Sequence, residues 1–261
     1  MAKLFTPKLS PRLEGIVSLV PKGLTVADVG CDHGYISIAL VQREIAPSSV
    51  ASDIKEGPLL QAKKNVEKAG LTGKIDTKLY PGIDGLEKGQ AQVIVIAGMG
   101  QRTIADILSG NMEVAKSAKY LILQPQSEIP EMREFIRDNG FHLVKNIMMR
   151  EGDKFYFAML VSTENEDTAS KSGIANRIKE KTNIPELDHY LDELDILFGL
   201  DLIYGDPEFA AYLRHVDSEW TQALERLGNA KKPDFEKITE LTKKAEASRL
   251  ALEMNMLLCR K

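Results

Sequence analysis

At 261 residues, 43% hydrophobic and 28% charged, the chain suits one full globular domain with a smaller one appended. No stretch reaches the roughly 20 apolar residues of a membrane span, and Cys31 and Cys259 are too few and too distant in sequence for a disulfide framework or a zinc site. The formal charge of −4 argues against a protein that coats nucleic acid indiscriminately, so a nucleic-acid partner needs a local basic face.

The first ten residues lack the apolar run and small-residue cleavage site of an export signal, which makes the cytoplasm the expected location. Ser10-Pro11 reads as an N-cap with proline at the first helical position, and Leu13, Ile16, Val17 and Val20 follow at helical spacing until Pro21 and Gly23. Short apolar runs then alternate with helical patterns. Strands are expected at 24–29, 49–54, 74–79, 93–96 and 120–123, and helices at 36–41, 59–69, 103–108 and 130–139. Repeated βα units of this kind predict a mostly parallel sheet with helices on both faces. The runs 142–150 and 155–161, separated by Glu151-Gly152-Asp153-Lys154, predict a terminal antiparallel hairpin. Ser162 to Ser172 is polar and marks a boundary, giving an N-terminal domain over 1–163 and a C-terminal domain over 164–261. From Pro185 the period is helical throughout. Gly228-Asn229 and Pro233 are expected to join two long helices into an antiparallel, coiled-coil-like hairpin.

The segment Val26 to Tyr35 carries the most chemistry. Gly30 and Gly34 stand where a strand turns into a helix, letting backbone amides approach a ligand without a Cβ in the way. A dinucleotide fingerprint would place a second glycine at position 32, but Asp32 is there. Its carboxylate repels a pyrophosphate and suits the ammonium group of S-adenosylmethionine; a plain strand-to-helix turn is the alternative. Asp53, about twenty residues on at a strand end, fits either a ribose-binding acid with Ile54 beside it or a helix cap. Asp84 with Gly85 fits an adenine contact or an ordinary turn. Ala97-Gly98-Met99 closes the fourth strand with small residues where ligands meet such sheets. The Asn/Asp-Pro-Pro-aromatic tetrad of methyltransferases acting on exocyclic amines is missing there, so a ring nitrogen is the easier acceptor. Cys31 and His33 lie inside the loop. The four histidines have no metal-ligand spacing, and no metal is expected.

The runs LSPRLEGIVSLVPKG, ADVGCDHGY, SDIKEGPLLQAKKNVEKAGL, IAGMG and LILQP together resemble the bacterial tRNA (adenine-22-N1)-methyltransferase family. The resemblance implies a Rossmann-like class I methyltransferase fold, S-adenosylmethionine as donor, N1 of a tRNA adenine as acceptor, and a tail that helps hold tRNA. It makes Gly30, Cys31, Asp32, His33, Gly34, Asp53, Ile54, Asp84, Gly85, Ala97, Gly98 and Met99 candidate cofactor contacts, with Asp32 also a candidate catalytic group. Gln101 stands where the family pattern leads one to expect another glycine. Lysine pairs at 63–64, 231–232 and 243–244 are ordinarily solvated faces. Residues 226–249 nonetheless hold seven Lys/Arg against four Asp/Glu, a local excess suited to phosphate. A monomer or weak dimer is expected. The competing readings are an NAD-dependent oxidoreductase, which the altered glycine loop disfavours, and a noncatalytic RNA-binding or scaffold protein.

Overall fold

The computed structural model describes residues 4–164, 169–185, 187–206, 208–230 and 232–259. The middle of the expected boundary segment, 165–168, lies outside them, as does Lys231 of the second lysine pair. The chain divides into two compact units, Met1–Glu166 and Asp167–Lys261.

In the first unit the elements run α1 (Pro11–Leu19), β1 (Val26–Val29), α2 (Tyr35–Gln42), β2 (Ser49–Asp53), α3 (Glu56–Lys68), β3 (Ile75–Leu79), β4 (Val93–Met99), α4 (Gln101–Gly110), α5 (Met112–Ser117), β5 (Tyr120–Pro125), α6 (Ile129–Asp138), β6 (His142–Glu151) and β7 (Lys154–Ser162). The seven strands form one sheet in the order β3-β2-β1-β4-β5-β7-β6. The first five pair in parallel, whereas β7 is antiparallel to both β5 and β6. This is the doubly wound, Rossmann-like sheet with a terminal hairpin that the βα alternation predicts. The hairpin turns through two residues, since Glu151 pairs with Lys154.

Strand periodicity divides the core between the two faces of the sheet. In β4, Ile94 and Ile96 pack with Ile104, Leu108 and Met132 on one face. Val93 and Val95 pack with Ile16, Val17 and Leu40 on the other. Both sets are buried, which explains why the strand reads as an unbroken Val-Ile-Val-Ile run. The order places β1 and β4 side by side although β2 and β3 come between them in sequence. The chain therefore leaves this pair in opposite directions, and a crevice opens at their carboxyl ends.

The second unit departs from the two-helix expectation. It holds α7 (Ala169–Thr182), a short 3-10 turn (Leu187–His189), α8 (Leu191–Leu197), α9 (Leu200–Gly205), α10 (Phe209–Gly228) and α11 (Phe235–Leu258). The end of the polar boundary segment is thus already helical. Gly199, at φ +81°, breaks what reads as a continuous helix between Leu197 and Leu200. The expected antiparallel pair is present as α10 and α11: Asp217 on α10 accepts from Ser248 Oγ (3.3 Å) and Arg249 Nε (2.9 Å) on α11. Buried Asn255 donates from Nδ2 to the carbonyls of Ile203 and Asp206, each at 2.9 Å, tying α11 to α9. No helix among the described residues is long and apolar enough to cross a membrane.

Candidate cofactor cleft

The turn between β1 and α2 is held open by its backbone. Gly30 and Gly34 both have φ +71°, and Asp32 between them has φ +49°. The position where a dinucleotide fingerprint carries its second glycine is therefore left-handed here as well, and is filled by an aspartate, one of the few side chains that tolerate that conformation. A Cβ added to Gly30 would stand 2.2 Å from Met99 Cε, so Met99 reaches back over the turn. Gly34 caps α2, and its amide donates to the Cys31 carbonyl at 2.7 Å.

Asp53, at the end of β2, braces this turn from outside. Its Oδ2 accepts from the Asp32 amide at 3.3 Å, and its Oδ1 from the Lys55 amide at 2.9 Å. One bond to each oxygen fixes the carboxylate and leaves acceptor capacity on both. Ile54 beside it is 65% exposed, unusual for an isoleucine and fit to cover an apolar ring face.

A cleft of about 310 Å³ opens above the turn, lined by Gly30, Cys31, Asp32, His33, Ala97 and Gly98 among the predicted residues. It also takes in Arg12, Leu13, Asp28, Tyr35, Ile36 and Gln126, none of them a predicted ligand contact. Asp28 forms its floor. It occupies the β1 position facing α2, where Ser37 donates to its Oδ2 from Oγ (2.8 Å) and from the backbone (3.2 Å). Burial pushes the Asp28 carboxyl up to about 6; the Ser37 bonds oppose the rise, and the charge of Asp53 adds to it. A charged residue within Val-Ala-Asp-Val was the signal for it, since a buried strand carries an unpaired acid only at a cost. Burial likewise pushes the Cys31 thiol up, which keeps it a neutral thiol rather than a nucleophile.

Not every candidate lines the cleft: Asp53, Ile54 and Met99 border the turn without lining it, and Asp84 and Gly85 are also outside the lining. Asp84 sits in an exposed turn whose backbone closes on Pro81, and Gly85 seats the Tyr80 ring, with Tyr80 Cδ1 only 2.1 Å from where a Cβ would stand. Gln101 begins α4 outside the left-handed region, so no glycine is required there. Among the described residues no group of His, Cys, Asp and Glu is placed to hold a metal ion.

The arrangement fits S-adenosylmethionine better than a dinucleotide. Asp28 and Asp32 line the cleft and Asp53 braces its turn, a set of carboxylates that would repel two phosphates but attract an ammonium and accept from ribose hydroxyls. His33 adds a donor or acceptor: its Nδ1 is buried without a partner, while its Nε2 lies 3.6 Å from Asp32 Oδ2.

Residues 9–159 match the family described as Methyltransferase domain. The chain is 34% identical over 162 residues to the tRNA (adenine(22)-N(1))-methyltransferase of Bacillus subtilis (strain 168), covering 62% of this chain and 68% of that protein. It superposes with a TM-score of 0.78 on the crystal structure of the B. subtilis M1A22 tRNA methyltransferase, at 26% identity, covering 94% of this chain and 99% of that one. A Streptococcus pneumoniae protein described as a tRNA (m1A22) methyltransferase, crystallised with S-adenosyl-L-methionine, gives a TM-score of 0.75 at 30% identity, covering 94% of this chain and all of that one. The structural likenesses extend through the helical unit as well as the sheet, and with the family match over 9–159 and the sequence relative they lead to one conclusion: the chain belongs to the tRNA (adenine-22-N1)-methyltransferase family.

Proposed function

We propose that this protein transfers a methyl group from S-adenosylmethionine to N1 of adenine 22 in tRNA. The observation that carries the reading is the cleft at the β1–β4 crevice, whose left-handed glycine turn presents acids instead of a phosphate cradle. The oxidoreductase alternative finds no support in such a turn. A noncatalytic RNA-binding role leaves the cleft without a purpose.

Bound S-adenosylmethionine supplies an electrophilic sulfonium methyl. Asp53, fixed by the Asp32 and Lys55 amides, binds the ribose hydroxyls. Asp28 places negative charge beneath the cleft at neutral pH, since its carboxyl titrates near 6, and so favours an ammonium above it. Ala97 and Gly98 leave room at the end of β4 for a flat base. Adenine N1 holds its lone pair in the ring plane, so no proton has to be removed before attack and catalysis reduces to orientation and charge. The base must first leave its pair or stack, because a paired N1 cannot reach the methyl. Methylation leaves it cationic, and the Asp32 carboxylate, two-thirds exposed at the cleft, stabilises that charge or fixes the exocyclic amino group.

The helical unit contributes tRNA affinity in this reading. Lys237 and Lys243 on α11 have no ion pair among the described residues, whereas Lys244 is paired with Glu240 and Arg249 with Asp217. The protein would act in the cytoplasm as a monomer or weak dimer. Incubating it with tRNA and isotopically labelled S-adenosylmethionine, then digesting the tRNA to nucleosides, tests the activity: labelled N1-methyladenosine is expected. Label in N6-methyladenosine before any alkaline rearrangement, or in protein alone, overturns it.

A further inference from the structure

β4 ends in Ala97, Gly98 and Met99, with Gly100 after it, and so brings no polar side chain to the crevice. Its pairing with β5 is irregular there. Ala97 stands opposite Gln124 and Met99 opposite Pro125, which leaves Gly98, at φ +79°, as the extra residue of a bulge. The end of β5 supplies what β4 lacks. Gln126 is exposed, lines the cleft, and donates from its backbone amide to the Met99 carbonyl at 2.9 Å. Its Nε2 lies 3.8 Å from where a Cβ on Gly98 would stand, which sets the side chain beside the bulge. The charged side chains of the cleft already have partners: Asp28 bonds with Ser37, Arg12 with Gln124, and Asp32 has His33 at 3.6 Å. The Gln126 carboxamide makes no hydrogen bond among the described residues, so an acceptor and a donor stand side by side at the cleft, both available to a ligand.

Resting on the function proposed above, we infer that Gln126 selects the acceptor base, its Oε1 accepting from the adenine N6 amino group and its Nε2 donating to N7. A carboxamide matches that edge of adenine with two hydrogen bonds, whereas guanine presents two acceptors there, O6 and N7, and would set O6 against Oε1. Pairing on this edge leaves N1 uncovered for the sulfonium methyl. It also leaves the amino hydrogen beside N1 free for Asp32. A neutral amide brings no positive charge near a base that becomes cationic during transfer. A contact from Gln126 to ribose or phosphate would carry no preference among bases, and its place at the carboxyl ends of β4 and β5, where such sheets receive their ligands, favours the base.

Two tRNAs, with adenosine or 7-deazaadenosine at position 22, isolate this contact, because the analogue lacks N7 but keeps N1 and the amino group. Methylation of each by the full chain and by Gln126→Ala is read as kcat/KM. With the unaltered protein the analogue is expected to lower kcat/KM about tenfold, and Gln126→Ala to lower it about tenfold or more on ordinary tRNA. In Gln126→Ala the analogue should then matter by less than about twofold, since the partner of N7 is already gone. Calorimetry should show unchanged affinity of the variant for S-adenosylmethionine, which also establishes that it folds. Losses that multiply when analogue and variant are combined overturn the inference and assign Gln126 to another part of the RNA. Indifference of the unaltered protein to the analogue overturns it too, as does weaker S-adenosylmethionine binding by the variant, which would make Gln126 a cofactor contact. If the unaltered protein methylates neither tRNA, the function proposed above falls, and the inference with it.

Discussion

The turn after β1 and the α10–α11 hairpin both carry closely spaced charges, and they use them in opposite ways. In the turn the acids are few and tied to the backbone: Asp28 is buried against Ser37, and Asp53 is pinned by two amides. On the hairpin, Lys244–Glu240 and Arg249–Asp217 are ion pairs facing water. Burial makes a charge such as that of Asp28 costly, and so informative about a ligand. Exposure makes the second kind worth little individually, and it serves a partner through summed charge rather than any single contact. The difference teaches that charge number says less about a site than the dielectric around each charge.

Asp28 should break the comparison most visibly. Its carboxyl is raised to about 6 from 3.8, so the stability tied to its protonated form is complete below about pH 4 and is lost as pH rises through 6. Over that window the loss is on the order of 3 kcal/mol. Asp28→Asn removes this dependence. Urea melts should show the variant close to the original protein below about pH 4 and more stable at about pH 7.5, with weaker donor binding because the negative charge is gone. Parallel stability profiles for the two proteins would show that Asp28 is not desolvated.

In the helical unit the nearest counterpart is Asn255, a buried polar side chain with no charge. Asn255→Leu strands two carbonyls and should cost about 2 kcal/mol, read as a lowered thermal transition, while donor affinity stays unchanged. A matching fall in donor affinity would show that the two units do not divide these roles. Within the cleft, Asp53→Ala removes charge-assisted bonds worth about 1.5 to 3 kcal/mol each and should weaken donor binding by about tenfold or more in calorimetry. Asp32→Ala separates two roles kinetically. Lower turnover at saturating donor and tRNA points to charge stabilisation, whereas a raised donor requirement with intact turnover points to binding alone. The smallest effect is expected at Arg249→Ala, where the arginine itself is exposed and stability should shift by no more than about 0.5 kcal/mol. A loss several times larger would place that pair among the structural contacts and undo the contrast.

The local sequence determined a good deal of this protein. Period-2 and helical patterning fixed the order of the first unit's principal elements, because burying one face of each element demands those spacings. The run Val93 to Ile96 announced a strand buried on both faces. The glycines at 30 and 34 announced a strand-to-helix turn with left-handed backbone, as the structure has it, since that follows from backbone sterics alone. Only tertiary structure decided which distant residues share the cleft. Arg12 on α1 and Gln126 after β5 arrive there because α1 packs against the sheet and β5 lies beside β4, contacts that no local spacing encodes. The same holds for Asp84 and Gly85, whose sequence suits a ligand loop but which the fold leaves in an exposed turn with Tyr80 packed on the glycine. The helical tail shows the limit from the other side. Its apolar period continues past Gly199, but a single left-handed residue redirects the chain, and where the pieces then pack depends on long-range contacts such as Asn255 with the end of α9. Patterning records which face of an element avoids water; which other element covers that face is settled only when the whole chain competes for the same contacts.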